Sequence, residues 1–291
     1  MTRRVAWIWC CSVLISCSAR AADQTQLGAG NTRAEQIGPQ SPLVESAIDL
    51  LANNAQQIRD DQIRQATLDS FLNPQSCIRH RTNLSDTAKN QIVATLQAQG
   101  LVNPADAASI TGGVKAGVFP PVINDGSACP LLPLSFAAAP GSNFGGHHSY
   151  PGGLAVHESF NDQSAINFAN TYRGEYGQRG AHGLPVARGS RSEGDVSLNQ
   201  DVILAAPIWH DWAKRMVFQW NTDGTEFTEL NFGGWGTNDN FGAPGDSRTG
   251  VHHIMSVAEA MARSLPPILV ITQAAAHSAP TLRSDQCCVL Q

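Results

Sequence analysis

The sequence has few charged residues and no excess of positive charge. Charged residues make up 15% of the 291 residues, against about 25% in an average soluble domain. The formal net charge is -5, so the chain has no bulk attraction for a nucleic-acid backbone, and long nucleic acid is not expected as a partner. Internal repeats are also lacking, which argues against a repeat array.

Long apolar runs are missing as well. The apolar run from Val5 to Ile15 is too short to span a bilayer as a helix. It follows Arg3 and Arg4, and a basic start before a short apolar run is typical of a signal peptide. We therefore predict a signal peptide over residues 1–21 and expect a bacterial protein that is exported, either periplasmic or membrane-anchored.

Two processing signals compete at the end of this segment. The stretch Leu14-Ile15-Ser16-Cys17 resembles a lipobox, in which a lipidated Cys17 would anchor the chain to the outer membrane. The stretch Ala19-Arg20-Ala21 resembles the site of an ordinary signal peptidase. The pattern alone leaves both open.

Two cysteines lie in the central part of the chain, Cys77 and Cys129. In an oxidising compartment they could form a disulfide. The alternative is a pair of free, buried thiols.

Hydrophobic periodicity predicts an all-α fold. The predicted helices cover residues 42–72, 85–99, 154–172, 198–214, 252–265 and 268–277. Residues 22–41 are polar with Gly and Pro and are predicted to form a tether. Residues 42–140 are predicted to be a helical N-terminal region that includes a long segment rich in Pro, Gly and Ala. Residues 217–230 have the pattern of a small β-hairpin insert around an Asp-Gly turn.

Four histidine-bearing segments carry the candidate chemistry. They are HHSYPGGLAVHE (147–158), WHDWAK (209–214), VHHIM (251–255) and the single His277. Imidazole and carboxylate together suit a divalent transition metal such as Zn, Mn, Fe or Ni. Neighbours on a helix diverge by about 100°, so His210 and Asp211 can share an ion only where the helix ends or bends. Pro207 makes such an irregularity plausible.

These segments resemble the HD-domain superfamily of metal-dependent phosphohydrolases. The first is similar to the HH-x-Y-x-G-G-L-x-x-H segment of the 3′–5′ exoribonuclease branch, and WHDWAK is similar to the segment that names the superfamily. The resemblance covers residues 145–280 and implies an HD-like helical bundle over residues 141–291.

The resemblance also implies roles for particular residues. Its metal ligands would be His157, His210, Asp211, His253 and His277. His252 competes with His253, because spacing does not separate neighbours. Asp211 and Lys214 would be catalytic, with Lys214 beside a bound phosphate, and His147 or His148 would face the substrate.

The implied activity is hydrolysis of a phosphate ester, either a nucleotide or a phosphodiester, by water activated on one or two divalent ions of Mn, Fe, Ni or Zn. One departure concerns the metal-binding aspartate that ends the family pattern. Here only Asp285 follows His277, so Asp285 substitutes, the site is incomplete, or the gene is truncated. The alternatives are a di-iron oxygenase and a non-catalytic metal- or ligand-binding envelope protein, since a fold alone does not define a reaction.

Overall fold

The computed structural model describes residues 28–100, 104–108, 112–142, 145–176, 198–226 and 251–276. These residues are mostly helical, which confirms the all-α prediction. The helices are α1 (Asn31–Ile37), α2 (Pro42–Ala55), α3 (Asp61–Leu72), α4 (Asp86–Ala98), α5 (Gly113–Val118), α6 (Gly153–Tyr176), α7 (Gln200–His210), α8 (Lys214–Val217), α9 (Val251–Ala262) and α10 (Pro267–Ala274). Of the helices in these ranges, none has both the length and the apolar character needed to cross a membrane.

Short polar side chains define where several helices begin. The Asp60 side chain accepts a hydrogen bond from the Ile63 amide at 2.9 Å at the start of α3. Ser85 does the same for the Ala88 amide at 3.2 Å at the start of α4. These bonds satisfy amides that lack partners in the first helical turn. Gly100 follows α4 with φ +70°, the left-handed conformation in which glycine commonly ends a helix.

Helix α7 lies at the centre of the molecule. It packs against α2, α3, α6, α9 and α10, and most of its side chains are buried. A helix surrounded by others must be apolar on all sides, as the segment VILAAPIW is. The position of α7 matters for function, because His210 is its last residue and Asp211 follows directly.

Residues 31–41 differ from the predicted tether, because they are folded onto the core. Helix α1 buries Ala34, and the Asn31 side chain donates to Gln219 Oε1 at 2.6 Å. Glu35 accepts hydrogen bonds from the backbone and hydroxyl of Ser135 at 2.5 and 2.7 Å. The polar composition suggested a tether, but the polar side chains of Asn31 and Glu35 form hydrogen bonds with the core. Residues 22–27 lie outside the described part of the chain.

One hydrophobic core serves both halves of the chain. Leu51 and Phe136 from the N-terminal region belong to the same buried cluster as Leu154 and Trp209. A smaller cluster of Val114, Val118 and Phe119 packs beside α4. The predicted regions 42–140 and 141–291 therefore share their core.

Cys77 and Cys129 form a disulfide. It ties the segment after α3 to the loop before Pro130, and the two segments also pair through the backbone, where Ile78 donates to the Pro130 carbonyl at 2.7 Å. The sequence left open a disulfide or two free thiols, and the structure shows the disulfide.

The predicted hairpin is present only as its turn within the described residues. Trp220 and Glu226 form an antiparallel bridge, and Gly224 takes the turn with φ +87°. Trp220 is buried and donates from Nε1 to the Ala138 carbonyl at 2.9 Å. It is therefore a core residue. Val217, the first residue of the predicted hairpin, instead ends α8, and residues 227–230 lie outside the described residues.

Candidate metal centre

The Pro-Gly-Gly break positions the first histidines. Gly152 has φ +85°, which side chains rarely adopt. At Gly153 an added Cβ would lie 1.7 Å from the carbonyl oxygen of His148. That same oxygen accepts hydrogen bonds from the amides of Gly141 and Tyr150, both at 3.0 Å. The two glycines thus let the loop fold tightly against the start of α6.

We expect Gly153→Ala to disrupt this loop, because the new methyl group would overlap a backbone oxygen that is held by two hydrogen bonds. Overpacking of this kind costs about 1–3 kcal/mol or more. Gly145→Ala is the comparison variant, since its φ of +84° adds backbone strain while its Cβ position is open and gives no overlap. Urea unfolding of both variants measures the difference. Equal stability of the two would contradict the packing argument.

The end of α7 places Asp211 in the interior. Asp211 has φ -111° and ψ 9°, which is outside helical geometry. The helix therefore ends between His210 and Asp211, the pair that can share an ion only at such an irregularity. The Asp211 carboxylate is completely buried. A buried charge is costly unless it is paired or binds a cation, and Asp211 is surrounded by positive or protonatable groups.

Four side chains converge on the Asp211 carboxylate. His157 Nε2 and His210 Nε2 each lie 3.2 Å from Oδ2, and Lys214 Nζ lies 2.6 Å from the same oxygen. His252 Nε2 lies 3.0 Å from Oδ1. These residues come from α6, the end of α7, α8 and α9, so distant segments of the chain meet at one carboxylate.

His210 is oriented by the end of its own helix. Its Nδ1 lies 2.7 Å from the Pro207 carbonyl oxygen and 3.3 Å from Glu158 Oε2. A hydrogen bond from one ring nitrogen fixes the tautomer and leaves the other available to a metal. Nε2 is the nitrogen that faces Asp211.

Burial and charge shift the pKa values of this cluster in opposite directions. Burial raises the pKa of Glu158 to about 8. Burial alone would lower the pKa of His210, but the charges of Asp211 and Glu158 outweigh it and raise the pKa to about 9. Burial would raise the pKa of Asp211, but His210 and Lys214 hold it well below its ordinary range. Burial lowers the pKa of His157. The low pKa of Asp211 keeps this buried carboxylate ionised, as a carboxylate that binds a cation must be.

The structure separates His252 from His253. His252 lies against Asp211, whereas His253 Nε2 lies 2.5 Å from the Gln273 carbonyl oxygen on α10. The prediction of His253 as a ligand thus differs from the structure. Neighbouring side chains on a helix diverge by about 100°, so only one of the two faces the carboxylate.

Contacts of the buried side chains of Ser256 and Glu259 fix the position of α9 against its neighbours. The Ser256 hydroxyl accepts from the Ala213 amide at 3.1 Å, next to Asp211. Glu259 lies 2.7 Å from His80 Nδ1 and also accepts from Arg263 at 2.8 Å. Arg263 in turn donates to the Cys77 carbonyl at 3.2 Å. The disulfide-bonded segment therefore supports the helix that carries His252.

Lys214 has a different environment from the one predicted. Its Nζ donates to Asp211 Oδ2 and to the Gly141 carbonyl, both at 2.6 Å, and the side chain is buried. These contacts position Asp211. The predicted contact with a phosphate stays a prediction, and His277 and Asp285 lie outside the described residues.

His147 and His148 lie at the entrance to the cluster. The His147 ring stacks on His157 with 4.8 Å between centroids, and His147 is exposed. His157 and His210 keep 15% and 16% of their side-chain surface exposed, against 0% for Asp211. Two histidines of the cluster are therefore partly accessible to solvent, whereas the carboxylate between them is not.

The donor set fits a divalent transition metal. Donor atoms of His157, Glu158, His210 and Asp211 all lie within 4.8 Å of one another. Two donors of one ion, each about 2.0–2.2 Å from it, lie roughly 3.0–3.5 Å apart, and both imidazole–carboxylate distances are 3.2 Å. Glu158 Oε1 is buried and has no hydrogen-bond partner in the described part of the chain. A mixed imidazole and carboxylate set suits Zn, Mn, Fe or Ni.

Sequence reasoning missed Glu158. It directly follows His157 in the quoted motif, but a carboxylate on a helix is usually exposed. The available signal was its position one helical turn after the apolar Leu154 and Ala155.

Comparisons with protein-family models, with curated proteins and with solved structures find no match for this chain.

Proposed function

We propose that this chain is a metal-dependent phosphohydrolase with an HD-type centre, acting on a nucleotide or another phosphate ester. The observation that supports this proposal is the meeting of His157, His210 and Asp211, from two helices, at donor distances suited to one ion. When bound, a divalent ion supplies Lewis acidity and a water of lowered pKa near neutral pH.

The residues around the centre orient it and accept charge. Lys214 contacts Oδ2 of Asp211, and His252 contacts Oδ1. Because both oxygens are held, the carboxylate keeps one orientation during turnover. The low pKa of Asp211 keeps its carboxylate ionised. An ionised carboxylate can bind a metal ion and accept hydrogen bonds through both oxygens. His147 and His148 lie on the solvent side, where a phosphate ester would approach.

The metal requirement is the direct test. We expect the purified chain, treated with chelator, to hydrolyse bis(4-nitrophenyl) phosphate only after addition of Mn²⁺, Ni²⁺, Zn²⁺ or Fe²⁺. The release of 4-nitrophenolate measures turnover. Oxygen consumption with Fe²⁺ and no ester hydrolysis would favour the oxygenase instead. A bound ion without any turnover would favour a binding protein.

We also propose that the chain is exported. The Cys77–Cys129 disulfide supports this, because such bonds persist in oxidising compartments and are rare in the cytosol. The N-terminal mass of the protein from its native host tests the proposal. A lipidated Cys17 or a start at Ala22 supports export, and an uncleaved Met1 contradicts it.

A further inference from the structure

A second group of imidazoles lies outside the buried carboxylate. His147 is exposed, and His148 and His157 are partly buried. Their ring centroids are 4.8, 5.2 and 5.5 Å apart. One donor nitrogen from each ring lies within 4.8 Å of the others.

These separations match three imidazoles around one ion. With metal–nitrogen bonds of about 2.0–2.1 Å, ring centroids lie about 3.2 Å from the ion and therefore roughly 4.5–5.5 Å from one another at angles of 90–110°. The three histidines already have that spacing. Their donor nitrogens also lie within 4.8 Å of one another.

His148 is held in an unusual conformation. Its φ is +59°, which costs a non-glycine residue roughly 1–2 kcal/mol. Its Nδ1 is buried and has no hydrogen-bond partner among the residues that the structure describes. Strained residues and unpaired buried polar atoms cluster at functional sites, and His148 has both features.

We propose that His147, His148 and His157 form a second transition-metal site at the entrance to the buried centre. Three neutral nitrogens favour Zn²⁺, Cu²⁺ or Ni²⁺ over Mg²⁺, Ca²⁺ or Mn²⁺, which prefer oxygen ligands. The site shares His157 with the centre on which the proposed function rests. A neutral imidazole offers one lone pair, so His157 serves one ion at a time and the two positions are coupled.

The test removes the buried carboxylate and leaves the outer histidines. Untagged Asp211→Asn protein is titrated with Cu²⁺ by calorimetry, and its electron paramagnetic resonance spectrum is recorded for nitrogen hyperfine structure. We expect one bound Cu²⁺ with the signature of several imidazole nitrogens. In the Asp211→Asn/His148→Asn double variant, the affinity for Cu²⁺ should fall more than about 100-fold, which exceeds the loss typical of an outer-shell partner.

The variants are chosen to separate binding from folding. Asparagine adopts positive φ more readily than most residues, so His148→Asn keeps the loop conformation, and circular dichroism checks the fold. Tyr150→Phe, beside His148, is the matched control and should bind Cu²⁺ unchanged. Absence of binding to Asp211→Asn, or equal binding by the double variant, would overturn the proposal. Neither result depends on whether the wild-type chain hydrolyses an ester.

Discussion

Asp211→Asn is expected to lose hydrolysis and binding of the buried ion, and circular dichroism checks its fold, because the buried Lys214 loses the charge of Asp211. Asparagine has the same shape and can still accept from Lys214, but it lacks the charge that a divalent ion requires. Loss of an outer-shell partner typically costs about 10–100-fold, and loss of this central carboxylate should cost more. Ester hydrolysis and ion content by mass spectrometry measure the effect.

A pair of neighbouring histidines supplies the control. His252→Ala removes a contact with Asp211 and should lower activity by about 10–100-fold. His253→Ala removes a contact with the Gln273 carbonyl and should instead cost about 1–3 kcal/mol of stability with activity retained. The reverse pattern would mean that His253 is the residue at the ion. Full activity of Asp211→Asn would remove the basis for the proposed centre.

Removal of the disulfide should produce the largest change in stability. Cys77 and Cys129 are 52 residues apart. A disulfide that closes a loop of that length lowers the conformational entropy of the unfolded chain, which stabilises the folded state by about 4 kcal/mol. We expect Cys77→Ala/Cys129→Ala to lower the free energy of unfolding in urea by about that amount. The bond also fixes the segment whose Cys77 carbonyl accepts a hydrogen bond from Arg263, directly after α9, so the loss should not be smaller.

Reducing agent tests the same bond without mutation. Dithiothreitol should lower the stability of the wild-type chain to the level of the double variant and leave the double variant unchanged. If wild type and variant unfold at the same urea concentration without reductant, the bond does not contribute to stability.

Most helices could be predicted from the sequence because their signals are local. Ser85 and Gly100 mark the ends of α4, and the near-continuous apolar run of α7 indicates a central helix. The segment around α1 could not be predicted, because its one buried residue, Ala34, gives no periodicity. Its hydrogen bonds to Gln219 and Ser135 depend on distant residues.

The candidate site was predictable to the level of motifs. His157, His210 and Asp211 lie together, as their motifs indicate. The choice of His252 over His253 depends on the rotation of α9, which its buried partners Ser256 and Glu259 determine. Sequence spacing contains no information about that rotation.

The pairing of α1 with residues that follow α8 affects the order in which the chain can fold. The Asn31 side chain meets Gln219 across 188 residues of sequence, and the Gly30 amide donates to the Trp220 carbonyl. Contacts between distant residues form slowly, because closing a long loop costs entropy before the contact can stabilise it. A chain emerging from the ribosome cannot complete this core until Trp220 has been synthesised. Helix α1 therefore remains without its final partners until most of the chain has been synthesised.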